Sequence, residues 1–305
     1  RQTFGLSAQM AIRAIAKVSE AYKRDKAIQP HFRPHSAMVY DQRICSFPAP
    51  DRVSLLTLDG REVMPFRFGA YAEGMLQRVR GQCDLIYRGS SDTFFLAITV
   101  DAPEPTPTDV TDYLGVDLGI INIATTSDGE MVSGSHINHV RARYSRFRAK
   151  LQKKGTKSAR RLLKKRSRRE TRFATNTNHC VSKRIVTQAK DTVRGIAVEN
   201  LHGIRERGTV RKRQRRVLHT WAFAQLRSFL SYKSTLAGIP LVAVDPRNTS
   251  RLCSVCGHCD KASRKTQATF VCTSCGVSLH ADVNAAINIG RRAAVIPPNA
   301  APLSQ

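Results

Sequence analysis

"GVDLGIINIATTSDGE", residues 115 to 130, places an aspartate inside a run of residues that favours β-structure. Val116, Ile121 and Ile123 are strand formers, and Asp128-Gly129 is a favoured two-residue turn, so the stretch predicts a buried β-hairpin. Asp117 is costly to bury on such a strand unless a partner stabilises its charge. The stretch therefore predicts a metal, a cation or a wet cleft beside this carboxylate.

The composition is strongly basic. The 305 residues include 50 Lys plus Arg against 23 Asp plus Glu, a formal net charge of +27. This excess predicts a polyanionic partner, and nucleic acid is the natural one. The charge is clustered in residues 141–172 and 205–216, which disfavours a merely soluble basic protein or a membrane-surface binder. No apolar run long enough to span a bilayer and no secretory signal occurs, so we expect a cytoplasmic protein associated with the nucleoid.

The amino-terminal third shows two hydrophobic periods. Apolar residues at helical spacing predict one helix over residues 7–26, and alternating residues predict a small antiparallel barrel or sheet within residues 36–101. The proline-rich segment 102–110 then reads as a semi-rigid linker. Because the chain begins with Arg1, we expect the amino-terminal region to be incomplete.

Beyond the linker, helices alternate with short strands. Residues 137–192 lack strand signals and predict two helices joined near Gly155. A short apolar strand is expected to end at Glu199, a helix at 221–237 to stop at Gly238, and a further buried strand to follow. The pattern closes with cysteines, a terminal helix and a tail that is expected to be disordered.

Four cysteines have the spacing of a zinc ribbon. Two Cys-x2-Cys pairs are separated by fifteen residues, and a glycine follows each pair where a knuckle turn needs one. The predicted zinc ligands are Cys253, Cys256, Cys272 and Cys275. Cys259, His258 and His280 are interpreted as non-ligands. A disulfide framework is disfavoured because nothing marks the chain as secreted.

Three acids stand at the ends of predicted elements. Asp117 lies in the first strand, Glu199 ends a later strand, and Asp282 opens the terminal helix. Together they are able to bind divalent cations, which prefer hard oxygen ligands. Taken singly, Asp282 is equally explained as an acid favoured by the helix dipole, and Glu199 as an ordinary loop charge.

Several ordered motifs resemble one protein family. They are "YLGVDLGIINIATTSDG", "GIAVENL", "TSRLCSVCG" through "FVCTSCG", and "HADVNAAINIG". Residues 111–291 thereby resemble the split RuvC-type nuclease domain of the TnpB family, transposon-encoded proteins related to the type V CRISPR effectors. The resemblance implies an α+β multidomain chain with an RNase H-like (RuvC) nuclease domain and an inserted zinc ribbon. It also implies DNA cleavage directed by a guide RNA from the transposon end, on a double-stranded DNA target, by Asp117, Glu199 and Asp282 with two Mg²⁺ ions.

The resemblance also implies a domain order. The expected parts are a partial amino-terminal recognition helix and β-barrel-like wedge region over 1–101, the linker over 102–110, the first part of the nuclease domain with basic helices over 111–250, the zinc ribbon over 251–279, the last part of the nuclease domain over 280–291, and a disordered tail over 292–305. The basic clusters are expected to contact nucleic-acid backbone through six residues. These are Lys164, Lys165, Arg168, Arg169, Arg211 and Arg213.

Three other functions remain open at this point. "GVDLG" before a hairpin also begins the ATP-binding fold of actin and the sugar kinases, but no second glycine-rich phosphate loop follows. The same nuclease fold is able to serve as a non-catalytic RNA- or DNA-binding regulator or repressor. A DNA-joining transposase also uses three acids, although a ribbon between the second and third acids favours the TnpB-like interpretation.

Overall fold

The computed structural model describes residues 4–69, 75, 78–89, 91–101, 105–200 and 223–295, the side chains of Arg80, Ser167 and Arg168 excepted. Its contacts divide the chain into two compact units that meet in sequence between Pro103 and Glu104. The predicted basic cluster at 205–216 and most of the predicted tail lie outside the described residues.

The first unit contains one helix and six strands. Helix α1 spans Ala8–Arg24, and the strands are β1 Met38–Asp41, β2 Cys45–Ala49, β3 Arg52–Thr57, β4 Gly60–Pro65, β5 Val79–Arg88 and β6 Thr93–Val100. They form two antiparallel three-stranded sheets, ordered β1-β5-β6 and β2-β3-β4, around one hydrophobic cluster. The predicted helix is confirmed, and the antiparallel structure predicted within residues 36–101 is present as these two sheets.

The second unit is built on a mixed five-stranded sheet. Its strands are β7 Tyr113–Asp117, β8 Asn122–Thr126, β9 Met131–Ser133, β10 Gly195–Glu199 and β11 Leu241–Val244. The order is β11-β10-β7-β8-β9, in which β11, β10 and β7 are parallel and β8 and β9 are each antiparallel to the preceding strand. Consecutive strands β7, β8 and β9 lie side by side, and β10 returns to the other edge of β7.

The stretch 115–130 contains more turns than the sequence predicts. Strand β7 ends at Asp117, the chain turns through residues 118–121, and β8 follows. Gly119 permits this turn, because a Cβ there would lie 2.7 Å from the carbonyl oxygen of Asn122. The predicted Asp128-Gly129 turn is present, but it joins β8 to β9, with Gly129 at a φ of 85°.

Long helices cover the sheet. Helix α2 spans Ser135–Lys154 and α3 spans Lys157–Asp191, and the predicted break between them is confirmed at Gly155, which has a φ of 67°. Helix α4, Phe223–Ala237, ends before Gly238 as predicted. The hydrophobic core between α3, α4 and the sheet includes Leu114, Ile185, Ile196, Leu226 and Leu230. No helix in the described ranges has both the length and the apolar character needed to cross a bilayer.

The carboxyl-terminal part returns to the sheet. Short strands β12, Thr269–Val271, and β13, Ser278–His280, form an antiparallel pair, and helix α5, Ala281–Ala294, follows directly. Helix α5 lies unusually close to β7: a Cβ on Gly115 would come within 1.9 Å of the carbonyl oxygen of Ala286. Gly290 permits the same approach from the helix side, since its Cβ would lie 2.7 Å from the carbonyl oxygen of Tyr113.

Candidate functional site

Two predicted acids lie side by side at one edge of the central sheet. Asp117 is the last residue of β7 and Glu199 is the last residue of β10. These strands are parallel neighbours whose register pairs Val116 with Val198, so both carboxylates follow buried strand residues at the same carboxyl edge. The parallel pairing explains how residues far apart in sequence reach one place.

The third acid reaches the same edge from a helix. Asp282 is in the first turn of α5, and His280 caps that helix by accepting the backbone N–H of Asp282 on Nδ1 at 3.3 Å. Asp282 is buried, with 6% of the residue exposed, and its carboxylate accepts a hydrogen bond of 2.9 Å from the amide of Asn122. Because a buried carboxylate is costly without a polar partner, this hydrogen bond helps to stabilise Asp282 at the helix start.

The acids influence one another electrostatically. Burial, and then the charges of Glu199 and Asp282, raise the pKa of Asp117 from 3.8 to about 7 against the opposing effect of Arg264. Burial also raises the pKa of Glu199, opposed by its hydrogen bond from Thr249 and by Arg292. The three predicted acids are thus brought together, in a place where a full set of negative charges is unfavourable without a cation.

Several supporting residues were not predicted. Thr249 donates its hydroxyl to Glu199, Asn122 donates to Asp282, and the Arg264 guanidinium lies 3.4 Å from the Asp282 carboxylate. None of these belongs to a recognisable spacing pattern, since each becomes a neighbour only when the sheet, the ribbon and α5 assemble. Arg264 places one positive charge beside the acids.

The four predicted cysteines form a compact sulfur cluster. Their Sγ atoms all lie within 4.8 Å of one another, with 3.7 Å from Cys253 to Cys275 and 3.6 Å from Cys256 to Cys272. Four thiolates bound to one zinc ion at about 2.3 Å lie roughly 3.8 Å apart, so the donor set fits this metal. Within the described residues this is the one group of metal-ligating side chains so close together, and the three acids are more widely spaced.

Matched turns position the two cysteine pairs. Gly257 and Gly276, the glycines predicted at the knuckles, have φ values of 75° and 74°. Their N–H groups donate to the carbonyl oxygens of Cys253 and Cys272 at 3.0 and 3.1 Å. Backbone N–H groups of Cys275 and Ser274 lower the pKa of Cys272 to about 6, which favours the thiolate that a metal requires.

Buried asparagines attach this cluster to α5. Asn284 accepts the backbone N–H of Ser254 at 2.9 Å and donates to the carbonyl of Leu252 at 2.8 Å. One turn later, Asn288 donates to the carbonyls of Leu252 and Thr249. The helix that carries Asp282 is therefore hydrogen-bonded to the segment that carries Cys253. The sequence "NAAIN" contains these two asparagines four residues apart, but their role in attaching α5 to the cysteine cluster was not predicted.

The structure describes the side chains of three of the six residues that are predicted to contact nucleic acid. Lys164, Lys165 and Arg169 are exposed on α3. The Arg168 side chain lies outside the described part, as do Arg211 and Arg213. The three described residues form part of a basic surface on α2 and α3.

Two family models match this chain in adjacent segments. A model described as "Probable transposase" matches residues 95–205, and one described as "Cas12f1-like, TNB domain" matches residues 223–289. The first match includes β7 and β10, and the second includes the cysteine cluster and most of α5. Both acids on the sheet and the third on α5 thus fall inside matched segments.

Curated relatives agree with these models. A CRISPR-associated endodeoxyribonuclease Cas12f1 of Sulfoacidibacillus thermotolerans is 40% identical over 118 residues, which cover 38% of this chain and 26% of the relative. A TnpB-like protein of Methanocaldococcus jannaschii is 28% identical over 198 residues, covering 61% and 70%. The chain spans less than half the length of three CRISPR-associated relatives, namely 26%, 43% and 45%.

A solved structure agrees in fold. The Cas12f1 chain in a complex with sgRNA and target DNA matches with a TM-score of 0.67 at 16% identity, over 92% of this chain and 70% of that one. The fold that the two chains share is a mixed α/β fold. Together with the two models, these matches show that the chain is similar to TnpB-like and Cas12f-type proteins, the resemblance that the sequence motifs predicted.

Proposed function

We propose that this chain is the nuclease-bearing part of a transposon-encoded, RNA-guided DNA endonuclease, with an RNase H-like domain of the RuvC type. The observation that carries the proposal is the meeting of Asp117, Glu199 and Asp282 from two parallel strand ends and a helix start. The sheet order, three consecutive antiparallel neighbours followed by two parallel strands on the other edge, supports the fold assignment.

The acids have the chemistry expected of a Mg²⁺ site. Hard carboxylate oxygens suit this ion, and the burial and mutual repulsion that raise the pKa of Asp117 favour a divalent cation between the acids. Two bound ions would supply an activated water and stabilise charge on the leaving oxygen of a phosphodiester. Asp117 and Glu199 would hold them at the sheet edge, and Asp282 would approach from α5. Thr249 and Asn122 would fix the orientation of two of these carboxylates.

The remaining parts have supporting roles in the proposal. One zinc ion held by the four cysteines would stabilise the ribbon, whose small core is built around the buried Phe270. The exposed basic residues of α3 would contact guide RNA or target DNA. The relatives named as endodeoxyribonucleases, and the solved complex with sgRNA and target DNA, are consistent with these partners.

One observation favours a second function. Asp282 is already paired with Arg264 and Asn122, so a chain that binds nucleic acid without cutting it could keep this acid without any metal. Such a protein would act as a repressor or transposition regulator. A measurement of cleavage by the loaded protein distinguishes the two.

The test compares wild type with Asp117→Asn after loading with the RNA that copurifies from the native locus. Asp117→Asn keeps the side-chain shape but removes its charge, so cleavage of a matched DNA target in Mg²⁺ should be lost while RNA and DNA binding persist. Asp191→Asn, the same change at the exposed end of α3, is the control and should cut normally. Full cleavage by Asp117→Asn would refute the site, and a wild type that binds but never cuts would favour the regulator.

A further inference from the structure

A cleft opens between the two basic helices α2 and α3, away from the three acids. Its volume is about 660 Å³, within the range of roughly 300–1,000 Å³ that holds small ligands. Aromatic, basic and amide side chains line it together. Neither the metal chemistry of the acids nor the sulfur cluster accounts for this combination.

Aromatic rings form one wall of the cleft. Tyr144 and Phe147 lie one turn apart on α2 and are both half-buried, so each presents part of its ring to the opening. The guanidinium of Arg166 on α3 lies 4.4 Å from the centroid of the Phe147 ring, which holds that ring in place by a cation–π contact. A flat ring presented beside arginine is the usual platform for stacking an unpaired base.

The charge of the cleft favours an anion. Arg141, Arg148, Lys164 and Arg166 line it, against the single acid Glu170. Glu170 is itself bound by Arg148 at 2.5 Å, so the described lining keeps a net positive charge. A phosphate would relieve the cost of holding these cations close together.

Amide groups line the inner part of the cleft. Gln225 of α4 donates to the hydroxyl of Thr175 at 3.2 Å and accepts from the amide of Asn178 at 3.0 Å, which fixes its orientation. Gln225 and Thr175 both line the cleft. An oriented amide with a neighbouring hydroxyl can hydrogen-bond the edge of a base, as amide side chains do in nucleic-acid recognition.

We propose that this cleft binds one unpaired nucleotide of a single strand, with the base against Tyr144 and Phe147 and a phosphate at the surrounding basic side chains. The inference rests on the proposed binding of nucleic acid but does not depend on cleavage. A base paired within a duplex cannot enter, because its faces are already stacked on its neighbours. The recognised chemistry, an unpaired base with its phosphate, is common to a guide RNA and a displaced DNA strand.

Binding measurements on the full chain, without divalent cations, test the inference. Fluorescence anisotropy would give dissociation constants for a labelled single-stranded RNA, the same sequence as single-stranded DNA, and the DNA duplex, each about twelve units long. Tyr144→Ala should weaken binding of a single strand about tenfold and leave duplex binding unchanged. Tyr144→Phe, which keeps the ring, should bind like wild type.

Two controls separate stacking from charge and from general surface effects. Tyr232→Ala removes an exposed tyrosine of α4 outside the cleft and should leave single-strand binding unchanged. The salt dependence of Tyr144→Ala should equal that of wild type, because no cation is removed. Lys164→Gln should weaken single-strand binding more than Lys165→Gln does, since only Lys164 lines the cleft.

The outcomes are distinct. If Tyr144→Ala loses affinity only for RNA, the nucleotide belongs to the guide, and if it loses affinity only for single-stranded DNA, the nucleotide belongs to the displaced strand. An equal loss of affinity for both single strands means that the cleft accepts either. No loss, or an equal loss for the duplex, would overturn the inference while leaving the nuclease proposal intact. A wild type that binds none of the three probes would overturn both.

If Tyr144→Ala does not fold, a crosslinking measurement on the wild-type protein provides a second test. A single strand containing 5-iodouracil, irradiated in the complex, should attach to the peptides that carry Tyr144 or Phe147. Adducts found only elsewhere in the chain would exclude the cleft as the binding place.

Discussion

The close contact between α5 and β7 makes a specific prediction about Gly115. This residue stands two positions before Asp117, and Ala286 stands four positions after Asp282. Gly115→Ala would place a Cβ 1.9 Å from the Ala286 carbonyl oxygen and 2.5 Å from the Gly290 nitrogen. Both neighbours are backbone atoms, so no side-chain rotation can relieve the clash and α5 itself must move.

The size of the effect follows from these distances. Real Cβ contacts essentially never fall below 3.0 Å, so α5 must retreat from β7 by about 1 Å. Overpacking of this kind costs about 3 kcal/mol or more when the neighbours cannot yield, which lowers the unfolding midpoint of a domain this size by about 6–12 °C. The same displacement moves Asp282 away from Asp117, and an error of about 1 Å in an active site lowers the rate about 100-fold.

Thermal melts and cleavage rates together test this reasoning. Gly155→Ala is the control: its φ of 67° costs about 1 kcal/mol with alanine, but no atom lies within 4 Å of the new Cβ, so cleavage should be unchanged. Gly290→Ala should also destabilise, although alanine ordinarily stabilises a helix by about 1 kcal/mol relative to glycine. A Gly115→Ala protein with wild-type stability and cleavage would refute the close packing, and one that only melts earlier would refute its link to Asp282.

Three further predictions concern charge and metal. Because the pKa of Asp117 rises from 3.8 to about 7 on folding, its ionisation destabilises the metal-free fold increasingly over that range and fully above it. Asp117→Asn should therefore raise the melting midpoint near pH 8, where the shift corresponds to about 4 kcal/mol and hence to about 8–16 °C for a domain of this size, and leave it unchanged near pH 4. Metal analysis should find one zinc ion per chain, lost in Cys253→Ser and kept in Cys259→Ser, and loss in the second would show that the ligand set is wrong. Replacing four basic residues of α3 by glutamine should reduce the slope of log affinity against log salt concentration by about 0.7 to 0.9 per lost phosphate contact. An unchanged slope would mean that this helix face is only solvated. The four are Lys164, Lys165, Arg168 and Arg169.

Local sequence signals predicted the elements better than the connections between them. The Gly155 break and the Gly238 stop were predictable because glycine permits the left-handed backbone found there, with φ values of 67° and 71°. The turn at 118–121 was missed because Leu118, Ile120 and Ile121 continue the apolar pattern of the strand. An apolar turn between two strands gives the same periodic signal as a longer strand, even though this turn is not buried and Ile121 in it is 56% exposed.

The candidate site divides in the same way. The cysteines were predictable as a group because all four lie within residues 253–275, at a spacing that is typical of zinc ligands. The acids were only weakly predictable from spacing, since their meeting depends on the pairing of β7 with β10 and on the path of α5. Thr249 and Arg264 were not predictable, because they reach the acids only through the segments leading into and out of the first cysteine pair.

The structure gives a physical reason for a ribbon between the second and third acids. Asn284 and Asn288 bind α5 to the backbone at Leu252, one residue before Cys253, and Thr249 in the same segment donates to Glu199. A zinc ion that orders the cysteine turns would therefore also fix the segment from Thr249 to Leu252, which hydrogen-bonds Glu199, and helix α5, which carries Asp282. Small domains of this kind generally need their metal to fold, so bound zinc would couple its occupancy to the geometry of the acids through these asparagine hydrogen bonds. In the proposed nuclease, the ribbon would thus position the three acids without contacting the substrate itself.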